Sequence, residues 1–270
     1  MTSPAFQLTI NNYVAELSFN RPEKANSLDL AAWQEMRDQL VALGQNPEVR
    51  VIILSGQGKH FCAGIDLETL MSVALADTAD EARKREAIRN FIYQLQDCIS
   101  SIERCPKPVL AAVHGGCIGG GVDIITACDL RYCSEEAYFT IKETDLGLAA
   151  DIGTLQRLPT IIQPGMVAEL AFTARKVFGP EAARIGLVNN CYADQAALQK
   201  GVGELAQMMA AKSPLVLRGI KETLLYKRDH SVQDSLRQIA THNAAFLLST
   251  DLAESFQAFM EKRAPDYKDA

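Results

Sequence analysis

Val109-Leu110-Ala111-Ala112-Val113-His114-Gly115-Gly116-Cys117-Ile118-Gly119-Gly120-Gly121-Val122-Asp123 is the most telling stretch of the chain. Its five leading apolar residues read as a strand buried on both faces. A small-residue turn follows, then an apolar helix from about Gly121 to Ala127. Strand, tight turn and helix make one unit of an α/β protein. A similar unit precedes it: Val49 to Ser55 is a continuous apolar run that leads into His60-Phe61-Cys62-Ala63-Gly64-Ile65-Asp66. Ligands of α/β proteins gather at the ends of such strands, where small residues expose backbone N–H groups.

Outward from these two units, Phe6 to Phe19 reads as two short strands around Asn11-Asn12. Asn26-Ser27-Leu28-Asp29 opens a helix to about Leu43, with Leu30, Trp33, Met36 and Leu40 on one face. A second helix spans about Ala82 to Arg104, striped by Ile88, Phe91, Ile92, Leu95, Ile99 and Ile102 and stopped by Pro106 and Pro108. Leu130 to Cys133 and Tyr138 to Ile141 read as short strands. From about Thr154 the chain is expected to be mainly helical. Met71 to Glu86 is the least regular segment.

The chain has 270 residues and a net charge of −6, with 48% hydrophobic and 22% charged residues. These are globular values, and the acidic balance argues against a nucleic-acid binder. No apolar run approaches the ~20 residues of a membrane span. Seven cysteines, an odd count without a C-x-x-C pair, read as core thiols in a reducing compartment. The four histidines are scattered and suggest no metal site. The N-terminal stretch carries no basic residue before Arg21, and Lys268-Asp269-Ala270 is not the Ser-Lys-Leu address, so a cytoplasmic location is expected.

Either glycine cluster alone reads most simply as a tight turn. The triple glycine fits neither the dinucleotide fingerprint nor a P-loop. Together the clusters permit another use: one N–H from each, aimed at a single developing oxyanion. Asp123 begins an apolar helix, Glu143 lies in Ile141-Lys142-Glu143-Thr144-Asp145, and Asp151 sits among small apolar residues. Each could be a cap or turn residue. Three acids beside two oxyanion candidates favour acid–base chemistry, with Asp145 left structural.

These residues resemble the crotonase family, the enoyl-CoA hydratases and isomerases, from Phe19-Asn20-Arg21-Pro22 to Glu261-Lys262-Arg263. The resemblance implies an α/β fold, a spiral of ββα units over residues 1–200, and a helical trimerisation region over 201–270. It implies an acyl-CoA substrate, no cofactor beyond that coenzyme A, and a homotrimer or dimer of trimers. By the family pattern the oxyanion hole takes the N–H groups of Ile65 and Gly120. Lys24, Ala63, Gly64, Asp66 and Leu67 fall at the CoA site, joined by Phe259 and Lys262 of a neighbouring subunit.

Within the family the acids decide the reaction. Asp123 and Glu143 stand where hydratases carry two glutamates, although Lys142 replaces the proline before the second. Asp151 stands where hydratases usually have glycine. Lys142 to Pro159 is similar to the Δ3,5-Δ2,4-dienoyl-CoA isomerases. The resemblance implies Glu143 as base at C2, Asp151 as acid at C6, and Asp123 either hydrogen-bonded to Glu143 or tuning its charge. An enoyl-CoA hydratase is the alternative. A non-catalytic or RNA-binding relative fits poorly with Ile65, Gly120 and three acids in place.

Overall fold

The computed structural model describes residues 4–74 and 80–269. The chain opens with β1 (Phe6–Asn11) and β2 (Val14–Phe19), an antiparallel hairpin turned by Asn12 and Tyr13, both at positive φ. Next come α1 (Leu30–Gln45), β3 (Val51–Gly56), α2 (Leu67–Ala74) and α3 (Glu81–Arg104). The central stretch holds β4 (Val109–Val113), β5 (Gly116–Ile118), α4 (Gly120–Ala127), β6 (Leu130–Ser134) and β7 (Tyr138–Thr140). Beyond it lie α5 (Thr154–Arg157), α6 (Pro164–Thr173), β8 (Val177–Phe178), α7 (Gly179–Arg184) and β9 (Asn190–Tyr192). The chain finishes on α8 (Gln195–Ala210), α9 (Pro214–Asp229), α10 (Val232–Phe246) and α11 (Thr250–Glu261).

The main sheet runs β1-β2-β3-β4-β6-β9, parallel from β2 onward. A smaller sheet, β5-β7-β8, stands beside it. Both faces of the main sheet are covered, which explains the continuous apolar runs. On β3, Ile52 and Leu54 enter the large core with Trp33, Met36 and Ile99. The alternate residues Val51 and Ile53 meet Leu198, Val202 and Ala206 of α8 on the other face. Side chains alternate along a strand, so a strand between two helical layers has no polar face.

Three expectations need amendment. The glycine-rich turn contains a strand, β5, and the region after Thr154 contains two more, β8 and β9. Two or three residues are too few for an alternating pattern, so pairing alone identifies them. Met71 to Glu86 is regular at both ends, with Met71 in α2 and Glu81 opening α3. There Asp80 caps α3 by accepting from the N–H groups of Ala82 and Arg83. Residues 75–79 lie outside the described residues. The line drawn between 200 and 201 falls inside α8, a helix that belongs to the sheet's second core.

One side chain, beside several backbone bonds, lashes the loop after β2 to the loop after β3. Asn26 is fully buried with φ +57°, a left-handed conformation that asparagine tolerates better than most residues. Its Oδ1 accepts from the Arg21 N–H at 2.9 Å, and its Nδ2 donates to the carbonyls of Gln57 at 2.9 Å and His60 at 2.7 Å. Its own carbonyl accepts from Cys62 Sγ at 3.2 Å. Asn26→Ala removes three side-chain bonds and leaves partly buried backbone groups unpaired. The expected loss is roughly 3 kcal/mol of unfolding free energy in urea denaturation. A loss below about 0.5 kcal/mol would show that the two loops hold without it.

Candidate active site

Two loops meet beyond the C-terminal ends of β3 and β4. Cys62 N–H donates to the Gly116 carbonyl at 3.2 Å, and Ile118 N–H donates to the Cys62 carbonyl at 3.0 Å. This short parallel bridge brings the two glycine clusters into contact. A Cβ on Gly64, at φ +80°, would lie 2.6 Å from the Gly120 nitrogen. One on Gly120 would lie 3.2 Å from both the Gly64 Cα and the Trp33 ring. Gly64 has no room for a side chain, and one on Gly120 would crowd both neighbours, which is the local reason for glycine at both.

The contact leaves two donors free. Gly64 N–H is taken by Cys62 Sγ at 3.3 Å and Asp66 N–H by the Leu28 carbonyl at 2.9 Å. Gly119 N–H is taken by the Thr140 carbonyl at 2.9 Å. Among the described residues, no hydrogen bond engages the N–H of Ile65 or of Gly120. Both residues line one cavity of about 690 Å³. Gly120 also opens α4, whose N-terminal partial positive charge favours an anion there.

The cavity is mostly apolar. Ile88, Phe91, Ile92 and Leu95 of α3 form one wall, and Leu146, Leu148 and Ile152 another. Four of the six apolar residues of the α3 stripe face this space. A 3.6-residue period reveals an apolar face but not what covers it.

The structure gathers most of the sequence-predicted residues here. Lys24, Ala63, Ile65, Asp66, Leu67, Gly120, Glu143 and Asp151 all line the cavity. Gly64 stands just behind, in contact with Gly120. Lys24 Nζ lies 3.2 Å from Asp66 Oδ2, and Arg21 lies 3.8 Å from the same oxygen. Burial opposes ionisation of Asp66, but the Glu68 N–H and Lys24 overcome it and hold the carboxyl below its usual range. Phe259, 79% exposed, and the exposed Lys262 lie on or just after α11 and line no part of their own chain's cavity. Asp145 forms an exposed ion pair with Lys142.

The three acids occupy different depths. Glu143 follows β7 on a short 3-10 turn, and a Cβ on Gly119 would lie 3.1 Å from its Oε1. Its Oε2 is buried without a partner among the described residues. Burial, then the charge of Asp123, pushes Glu143 up to about 7. Asp151 lines the cavity from the loop before α5, and burial raises its pKa as well.

Asp123 lies beneath the cavity, fully buried in α4. Its Oδ1 accepts from the Thr154 N–H at 2.5 Å, and its Oδ2 is unpartnered. Of its two expected relations to Glu143, no hydrogen bond joins them among the described residues, whereas the charge effect is present. Burial raises Asp123 to about 6, against hydrogen bonding from Thr154. Among the described residues, no three His, Cys, Asp or Glu side chains are grouped to hold a metal ion.

An α/β fold thus brings acids and free backbone donors around one apolar cavity. Comparison with known proteins gives the family. The model of the enoyl-CoA hydratase/isomerase family matches residues 9–270. The chain is 49% identical to the peroxisomal Delta(3,5)-Delta(2,4)-dienoyl-CoA isomerase of Arabidopsis thaliana, covering 94% of this chain and 92% of that one. It is 45% identical to the mitochondrial isomerase of that name from Mus musculus, covering 93% and 77%. A crystal structure of an enoyl-CoA hydratase from Bacillus anthracis superposes with a TM-score of 0.88 at 30% identity, covering 98% of this chain and 100% of that one. The chain belongs to the enoyl-CoA hydratase/isomerase family.

These relatives correct the expected cytoplasmic location, because they are named as peroxisomal and mitochondrial proteins. Receptors read organelle addresses from short signals, which overall composition and thiol count do not reveal.

Raised carboxyl pKa values make stability depend on pH. A native acid that holds its proton more tightly than the unfolded chain contributes fully below its unfolded value. That contribution is lost as pH rises through the native value. For Asp123 the window runs from the ordinary 3.8 to about 6. Asp123→Asn keeps the acceptor for Thr154 and removes the buried charge. It is expected to raise unfolding free energy at pH 8 by about 1–2 kcal/mol and to bring no gain at pH 4. Equal effects at both pH values in chemical denaturation would refute the charge burial.

Proposed function

We propose that the chain is an acyl-CoA isomerase that converts a 3,5-dienoyl-CoA into the 2,4-dienoyl-CoA. The observation that carries this reading is the pair Glu143 and Asp151 on different loops of one apolar cavity that also holds the free N–H groups of Ile65 and Gly120. Relatives 49% and 45% identical bear the name of that reaction.

The thioester oxygen sits between the two N–H groups, which stabilise the enolate as charge develops. One such donor is typically worth about 3 kcal/mol of barrier. Glu143 removes a proton from C2, the electron pair spreads through the diene, and Asp151 delivers a proton to C6. One proton leaves the carbon chain and one enters, so the double bonds move without oxidation, and no cofactor is required. Asp123 keeps Glu143 basic by its charge and anchors the Asp151 loop through Thr154.

The forward reaction starts with Glu143 ionised and Asp151 protonated, and ends with the opposite arrangement. Glu143 is driven up to about 7 in the free chain. Glu143 therefore gives up or takes a proton readily near neutral pH, and exchange with solvent resets the product form of the pair. By microscopic reversibility this form also starts the reverse reaction.

Coenzyme A enters over Lys24 and the backbone of residues 63–67. Lys24 shares its charge with Asp66, so only part of it serves an anion. Phe259 and Lys262 reach the coenzyme of a neighbouring subunit in a trimer or dimer of trimers. Such an assembly accounts for apolar side chains left open on and between the last two helices, among them Leu248 of the linker at 94% exposure.

Turnover of a 3,5-dienoyl-CoA, followed by ultraviolet absorbance, tests the proposal beside hydration of a 2-enoyl-CoA. The wild type is expected to isomerise the diene, and Asp151→Asn to lose this by ~100-fold or more. Efficient hydration of the 2-enoyl-CoA with little effect of Asp151→Asn would make the protein a hydratase instead.

A further inference from the structure

The loop that presents Asp151 is a thin wall. Ile152 lines the active cavity on one side and a shallow depression on the other. Inside the loop, Gly153 stands at φ +138°, and a Cβ there would lie 1.8 Å from Arg157 Nη1. The backbone therefore folds directly onto the guanidinium. A segment so thin needs external anchors to hold one carboxyl in place.

Its anchors come from α3 and α4. Gln96 of α3 donates from Nε2 to the backbone carbonyl of Asp151 itself, at 2.6 Å. Asp123 of α4 holds the Thr154 N–H at 2.5 Å. Arg157 Nη2 is held by Ser100 Oγ at 3.0 Å and Glu103 Oε2 at 2.6 Å, both on α3. Glu103 is in turn paired with Arg228 of α9. Thus α3 holds the loop at Asp151 and the following helix at Arg157, and among the described residues Gln96 alone of α3 donates to the residue that carries the acid. Gln96 lines the rear depression and not the active cavity, so it touches no substrate.

From this arrangement we infer that Gln96 is a positioning residue for Asp151, fixing the acid over the far end of the diene by holding its main chain. The inference rests on the proposed isomerase reading. Gln96 acts on one half of the reaction only. Proton removal at C2 depends on Glu143 and the two N–H groups, which stand on other loops. Proton delivery at C6 depends on the placement of Asp151. Small displacements of a reacting group lower rates by about 10²-fold.

The test separates the two halves. Each protein is incubated with a 3,5-dienoyl-CoA in D2O, and mass spectrometry and NMR follow deuterium at C2 of recovered substrate and formation of 2,4-dienoyl-CoA. For Gln96→Leu, kcat of isomerisation is expected to fall by roughly 10- to 100-fold with KM little changed. Exchange at C2 is expected to stay within about threefold of wild type, which also reports that the folded site is intact. If Gln96→Leu does not fold, Gln96→Glu carries the same test, since its carboxylate cannot donate to the carbonyl. Unchanged isomerisation, or loss of exchange and isomerisation in proportion, overturns the positioning role. Wild-type protein that neither exchanges nor isomerises overturns the isomerase reading instead.

Discussion

The contact of Gly64 with Gly120 is the constraint on which the site depends. Two backbones approach so closely that a methyl group on Gly64 would strike the Gly120 nitrogen. The approach is built from below: parallel strands β3 and β4 deliver both loops to the same edge of the sheet, and the Cys62–Cys117 bridge sets their register. Trp33 packs under Gly120, and Asn26 ties the preceding loop into the same cluster. What results is a pair of backbone donors with their neighbours' N–H groups already committed. Donors fixed before a charge develops need no reorganisation when it does.

The acids stand in tension with the core that holds them. Asp123 is fully buried with one oxygen unpartnered, and Glu143 has a buried oxygen in the same condition. Each is destabilising in its ionised form, and the charge of Asp123 raises the affinity of Glu143 for a proton. Two large cores on either face of the sheet offset that penalty. The groups behave as a coupled set in which proton location, rather than any single pKa, describes the state of the site.

The parts of this fold that announce themselves in sequence are those buried on all sides. Val51–Gly56 and Val109–Val113 are legible because helices cover both faces of the sheet. Strands β5, β8 and β9 are illegible because two or three residues cannot show a period. The α3 stripe is legible as apolar but not as a cavity wall, since the same side chains serve either environment. The acids were legible through their placement against a family pattern. Their partners were not: Asp123 meets Thr154 across 31 positions and Gln96 meets Asp151 across 55. Pairings so distant belong to the packing of α3 and α4 and leave no local trace. Phe259 and Lys262 stay apart from their own cavity, as residues assigned to a neighbouring subunit would.

A hydratase and the proposed isomerase ask different things of one scaffold. Adding water across C2 and C3 concerns adjacent carbons, so two acids at one end of the substrate suffice. Moving a proton from C2 to C6 spans the whole conjugated system, and one carboxyl cannot reach both ends of a rigid planar chain. The second acid must come from another element, across the cavity from Glu143. On the proposed reading it comes from the loop between Leu148 and Thr154, where Asp151 is exposed to the cavity and Gly153 permits the sharp turn behind it. The donors, the sheet and Glu143 are common to both chemistries. On the proposed reading, the choice between them rests on a few residues of one loop and on the helix that holds that loop still.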